Sequence, residues 1–163
     1  MSDARKRLEA EIEARGLTVI GRFIRWSRTG ESTLQLNWDV DVLHHGRRIY
    51  STRYRAGVAH CPSYSCTSGI TRMEACQKEC ETGMAPNGTP IPLDPADVIH
   101  ALVTDAQARH AASFEDWADE YGYSSDSRKA EKMYNECCSI ATALVEALGE
   151  EGLAALEDAA RDL

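Results

Sequence analysis

A chain of 163 residues is long enough for one domain of ordinary size, or for one domain with an appended helical layer. Its 43% hydrophobic and 27% charged residues exclude a disordered chain, and no apolar run reaches the roughly 18 residues that a membrane-spanning helix needs. The net charge of −8 is unevenly placed: residues 1–60 carry eleven Lys/Arg and seven Asp/Glu, a net of +4, while residues 61–163 carry seven and nineteen, a net of −12. An acidic half argues against nucleic-acid binding by that half, because phosphate contacts need Lys and Arg, and it suits a basic partner.

The first segment, Met1-Ser2-Asp3-Ala4-Arg5-Lys6-Arg7 followed by Glu9, Glu11 and Glu13, lacks the apolar centre of a secretory signal, so the expected location is cytoplasmic. In that reducing compartment the six cysteines are expected to be buried thiols or metal ligands rather than disulfides. Asp3 is placed to cap a helix running to about Arg15, with Leu8 and Ile12 on its apolar stripe and Gly16 as the left-handed stop.

Three strands are expected next. Thr18 to Trp26 is rich in β-branched and aromatic residues, and Ser27 to Ser32 reads as a turn around Gly30. Thr33 to Leu43 alternates with period two. Leu34, Leu36, Trp38, Val40 and Val42 are assigned to a buried face, and Thr33, Gln35, Asn37, Asp39 and Asp41 to a wet one. His44-His45-Gly46 makes a hairpin loop with Gly46 at positive φ. Arg48 to Val58 then places Tyr50, Thr52, Tyr54 and Ala56 inward and Arg53 and Arg55 outward, near Asp39 and Asn37.

Ser68 to Glu81 has helical character, with Thr71 and Glu74 at capping-box spacing and Gly83 as its stop. The proline-rich stretch Met84 to Pro92 is the best internal boundary. Asp94-Pro95 opens a helix to about Ala111, with Val98, Ile99, Leu102 and Val103 inward. Ser113 caps the short helix FEDWADEY, ended by Gly122, with Trp117 and Tyr121 as its anchors. Asp126 caps a long helix to Leu148, striped by Met133, Tyr134, Cys137, Ile140, Ala141 and Leu144. Gly149 stops it, and a last helix from about Glu151 is apolar at Leu153, Leu156 and Ala160. The fold class is therefore α+β: an N-terminal helix and a three-stranded antiparallel sheet with a Cys-rich segment (1–83), followed by a helical region (93–163) packed with it as one compact unit.

Four features carry possible chemistry. His60, Cys61, Cys66, Cys76 and Cys80 supply four thiols and an imidazole within 21 residues, and Cys76 and Cys80 share a helical face. They are the alternative zinc ligands, although neither pair has the C-x2-C knuckle of structural sites. His60 and Cys61 are neighbours on an extended chain and point apart, which does not make a base and nucleophile pair; Cys137 and Cys138 read as packing. The acidic cluster Glu115, Asp116, Asp119 and Glu120 surrounds Trp117; its plain reading is a solvated face that complements the helix dipole, and its functional reading is a partner-binding surface. Arg22, Arg25, Arg28, Arg47, Arg48, Arg53 and Arg55 form a candidate basic patch. The helix, three strands and helix over residues 4–82 follow the order of double-stranded-RNA-binding domains, but the expected basic cluster is reduced to Arg72. There is no nucleotide-binding loop and no catalytic constellation, so the reading is non-enzymatic and assigns no cofactor, with zinc as the alternative.

The run Ser113 to Tyr123, then Asp126-Ser127-Arg128-Lys129-Ala130-Glu131, then Tyr134 and Cys137, resembles small proteins encoded by bacteriophages and prophages, whose pattern runs Phe-Glu-x-Trp-Ala, Gly-Tyr, Asp-Ser-Arg-Lys-Ala-Glu. Ala56 to Tyr64 is similar to the same group, and the likeness covers roughly residues 50–163. The resemblance implies a phage accessory product acting in the host bacterial cytoplasm. Its expected partner is a host protein or ribonucleoprotein such as a CRISPR effector, which it binds and disables in the manner of anti-CRISPR proteins. The motif residues themselves encode caps and core.

Overall fold

The computed structural model describes residues 2–28, 34–58 and 93–163, with no side chains for 25–28, 34–36 and 56–58. The elements are α1 (Asp3–Ala14), β1 (Leu17–Arg28), β2 (Leu34–His44), β3 (Arg47–Val58), α2 (Pro95–Ala106) with a 3-10 turn over Gln107–His110, α3 (Phe114–Tyr121) and α4 (Arg128–Ala160). The three strands form an antiparallel sheet in the order β1-β2-β3, so the fold is α+β. The turn at 27–32 lies largely, and the helix at 68–81 wholly, outside the described residues, as does the Cys61 to Cys80 segment. No described helix is long and apolar enough to cross a membrane.

Two compact units share the chain. One comprises residues 1–19, 42–50 and 95–163, and the other residues 20–41 and 51–94. In the first, α1 packs on α2 and α4, and α2 packs on α4. Leu8 and Ile12 of α1 are buried as their i,i+4 spacing predicts. Val98, Ile99, Leu102 and Val103 of α2 are buried, because their two adjoining stripes are covered by two different helices. In α4, Ile140, Ala141, Leu144, Leu153 and Leu156 complete the core, each large side chain contributing about 2 kcal/mol of burial. Gly149, at φ 76° and ψ 166°, breaks α4 where the sequence places the stop. Arg5 bonds Asp97 at 3.0 Å and Arg7 bonds Asp162 at 2.9 Å, joining α1 to α2 and to the residues after α4.

In the second unit Trp38 sits between Phe23, in an edge-on contact at 5.9 Å, and Tyr54 at 6.0 Å. Asp39 on the opposite face receives Arg53 at 3.9 Å, the cross-strand pairing expected of this face, and also Arg22 of β1 at 3.2 Å. Asn37 departs from expectation. Its alternation places it on the wet face, yet it is 2% exposed, while Trp38, Val40 and Val42 are buried on the other face as expected.

Two caps move by one residue from their expected positions. Ser2, not Asp3, caps α1, its hydroxyl accepting from the Arg5 amide at 3.2 Å. Ser127, not Asp126, caps α4 by accepting from the Ala130 amide at 3.1 Å. Asp126 is instead inside a turn closed by the Ser127 amide donating to the Ser124 carbonyl at 3.1 Å. Ser and Asp are equally good caps, and the path of the incoming chain chooses between them.

Candidate functional site

The helix α3 is set at both ends by local chemistry. Ser113 Oγ accepts from the Asp116 amide at 3.2 Å. At the other end Gly122 takes φ 75°. The Tyr123 amide donates to the Ala118 carbonyl at 2.8 Å, and the Gly122 amide to the Asp119 carbonyl at 3.3 Å. This is a Schellman stop, and its accompanying apolar contact is Tyr123 stacked on Trp117, with centroids 5.5 Å apart and planes 14° apart.

The inner face of α3 is held by Trp117 and Ala118, which are buried with Ala108 and Ala130. Tyr134 of α4 reaches both Trp117 at 5.5 Å and Phe114 at 5.6 Å. Aromatic pairs at such separations add to the area they bury. Tyr121 is not the anchor that its i,i+4 spacing from Trp117 suggests: it touches Trp117 at 5.3 Å but is 50% exposed, and Tyr123 is 40% exposed.

The outer face carries Glu115, Asp116, Asp119 and Glu120, all exposed. None makes an ion pair among the described residues, in contrast to Glu9, Glu11, Asp39, Asp97, Glu150 and Glu157. The helix dipole accounts for only half of the cluster. Glu115 and Asp116 lie in the first turn, where negative charge is favoured. Asp119 and Glu120 lie in the last turn, where the unpaired carbonyls disfavour it. The spacings 115/119, 116/120 and 116/119 also set like charges side by side, each costing a few tenths of a kcal/mol. Tyr121 and Tyr123, partly exposed, follow these carboxylates in the chain, and carboxylates with aromatic rings near them suit guanidinium and ammonium groups.

The Cys137 thiol of α4 is held neutral. Burial, then Asp105, Cys138 and Glu136, push the Cys137 thiol up to about 11. A hydrogen bond with Cys138, then burial and the charge of Glu115, raise the Tyr134 phenol above its ordinary value. Tyr50 is raised by burial first and by Glu136, Cys137 and Asp105 after it. It lines an open groove of about 510 Å3 in which Arg128 and Lys132 alternate with Glu131 and Glu136 and offset them. Among the described residues no group of three His, Cys, Asp or Glu side chains could hold a metal ion; Cys61, Cys66, Cys76 and Cys80 lie outside them.

Comparison with known proteins finds no matching family, no matching curated protein and no matching solved structure.

Proposed function

We propose that this chain is a non-enzymatic binding protein whose α3 face occupies a basic, nucleic-acid-binding groove on a partner protein or ribonucleoprotein. The resemblance of residues 50–163 to phage products supports a host defence complex of the CRISPR kind as that partner, blocked by the bound chain. One observation carries the reading: Asp119 and Glu120, which make no ion pair among the described residues, stand in the last turn of α3, where the helix dipole opposes them. Folding does not require these charges, and a basic partner would. Tyr121 and Tyr123 beside them supply the flat, partly apolar area on which interfaces centre.

The test is the triple variant Asp116→Lys, Asp119→Lys and Glu120→Lys, mixed with a purified guide-loaded CRISPR effector and its target DNA. The native chain is expected to displace the DNA. The variant, folded by circular dichroism, is expected to lose at least about 100-fold in binding, as close charge pairs at interfaces do. Undiminished binding by the folded variant sinks the acidic-face reading, and failure of the native chain to bind any effector tested sinks the choice of partner.

A further inference from the structure

The hairpin between β2 and β3 reads His44-His45-Gly46-Arg47-Arg48, two adjacent arginines beside two histidines in a chain of net charge −8. Its two loop residues both take positive φ, 49° at His45 and 81° at Gly46, the requirement of a two-residue type I′ connection. The loop is tied down. The His45 amide donates to the Gly16 carbonyl at 2.9 Å, and the His45 ring lies so close over Gly16 that a Cβ there would collide with it. The His44 and His45 rings are in contact at 4.2 Å. The hairpin tip is therefore held in place before any ligand arrives.

Beside this tip is a pocket of about 370 Å3, the size of a small-metabolite site. Arg47, Arg48 and half-buried His44 line it from the hairpin, and Glu146 lines it from α4. Arg47 and Arg48 make no ion pair among the described residues, whereas Arg5, Arg15, Arg22, Arg53 and Arg109 each find a carboxylate. Glu146 lines the same pocket as Arg47 and Arg48 and makes an ion pair with neither. Opposite charges that line one cavity without meeting leave room for a molecule that satisfies both. Ala143 and Ala147 of α4, one helical turn apart, also line the pocket.

We propose that this pocket binds a small phosphomonoester whose body carries hydroxyl groups. The phosphate dianion sits against the Arg47 and Arg48 forks, whose planar donors match its oxygens, with the His44 imidazole beside them. A singly charged carboxylate leaves one of the two arginines unmatched. Glu146 accepts hydrogen bonds from hydroxyl groups on the body, which lies across Ala143 and Ala147. The neighbouring groove at Tyr50 is excluded from this role, since its two cations are offset by two carboxylates. The inference is independent of the α3 reading and shares no residue with it.

The experiment is calorimetric titration of the full chain with ribose 5-phosphate, AMP and inorganic phosphate at about 0.15 M salt, where non-specific surface attraction is screened. Ribose 5-phosphate is expected to bind one to one with Kd below about 1 mM, roughly tenfold tighter than inorganic phosphate. Arg47→Ala and Arg48→Ala are each expected to weaken it at least about tenfold. Glu146→Gln should weaken ribose 5-phosphate and leave inorganic phosphate unchanged. Tighter binding of AMP identifies the body as a nucleoside, and equal binding identifies it as a sugar; both uphold the site. No saturable binding of either organic phosphate up to about 10 mM overturns it, as does binding that survives in the Arg47→Ala, Arg48→Ala double variant.

Discussion

Arg109 shows how single residues secure the helical unit. Its side chain is 12% exposed and pairs with Glu157, which is 14% exposed, while also reaching Glu150 at 3.3 Å and donating to the Ala106 carbonyl at 3.0 Å. Replacing it with Met leaves the Glu157 carboxylate, in a mostly dry site, with only the His110 ring at 3.4 Å, so Arg109→Met is expected to cost about 3 kcal/mol. Adding Glu157→Met should recover much of that loss, because the stranded charge is then gone. Urea denaturation of the two variants checks this. At Cys137 burial favours the neutral thiol. Its ordinary value is 9.0 and its folded value about 11. The associated stability is therefore fully present below pH 9.0 and is lost as the pH rises through about 11. Alkylation of Cys137, followed by peptide mass spectrometry, should stay slow at pH 8 and accelerate only near pH 11.

At the scale of elements, capping decides where helices begin and end. Ser127→Ala is expected to cost about 1 kcal/mol and Asp126→Ala only a fraction of that, since Ser127 holds the Ala130 amide. Thermal unfolding separates the two outcomes. Gly122 stands at φ 75° with open space where a Cβ would stand, so Gly122→Ala carries only the conformational cost of the left-handed region, about 1 kcal/mol. On the same helix Asp119→Lys and Glu120→Lys place cations at the negative end of the dipole. Each is expected to raise the melting temperature by about 2 °C while weakening the partner. A gain in stability coupled to a loss of binding is the signature of charges kept for function.

At the scale of the whole molecule, charge is the dominant property. A net of −8 carried mostly by residues 61–163 makes the folded state repel itself. Added salt is therefore expected to raise the melting temperature of the native chain. The triple Lys variant of α3 has a net of −2 and should respond less. The same salt series bears on function, since association driven by an acidic face slows steeply as ionic strength rises. The cationic hairpin at 44–48 stands against this acidic background.

The division between what local sequence carries and what tertiary structure decides follows the range of the physics. Period-two alternation in Leu34–His44, the stripes of Pro95–Ala106, the Ser113 cap and the Gly122 and Gly149 breaks are short-range effects, and the α+β architecture was legible from them. The choice between Ser2 and Asp3, or Ser127 and Asp126, was not, because adjacent residues of equal capping strength differ only in the path of the chain around them. Asn37 is buried and Tyr121 exposed against their local pattern, because burial depends on which distant segment covers a face. The acidic cluster at 115–120 was legible as composition. That Asp119 and Glu120 lie in a last turn with no ion pair among the described residues, and that Arg47, Arg48 and Glu146 line one pocket, are relations that only the folded backbone creates.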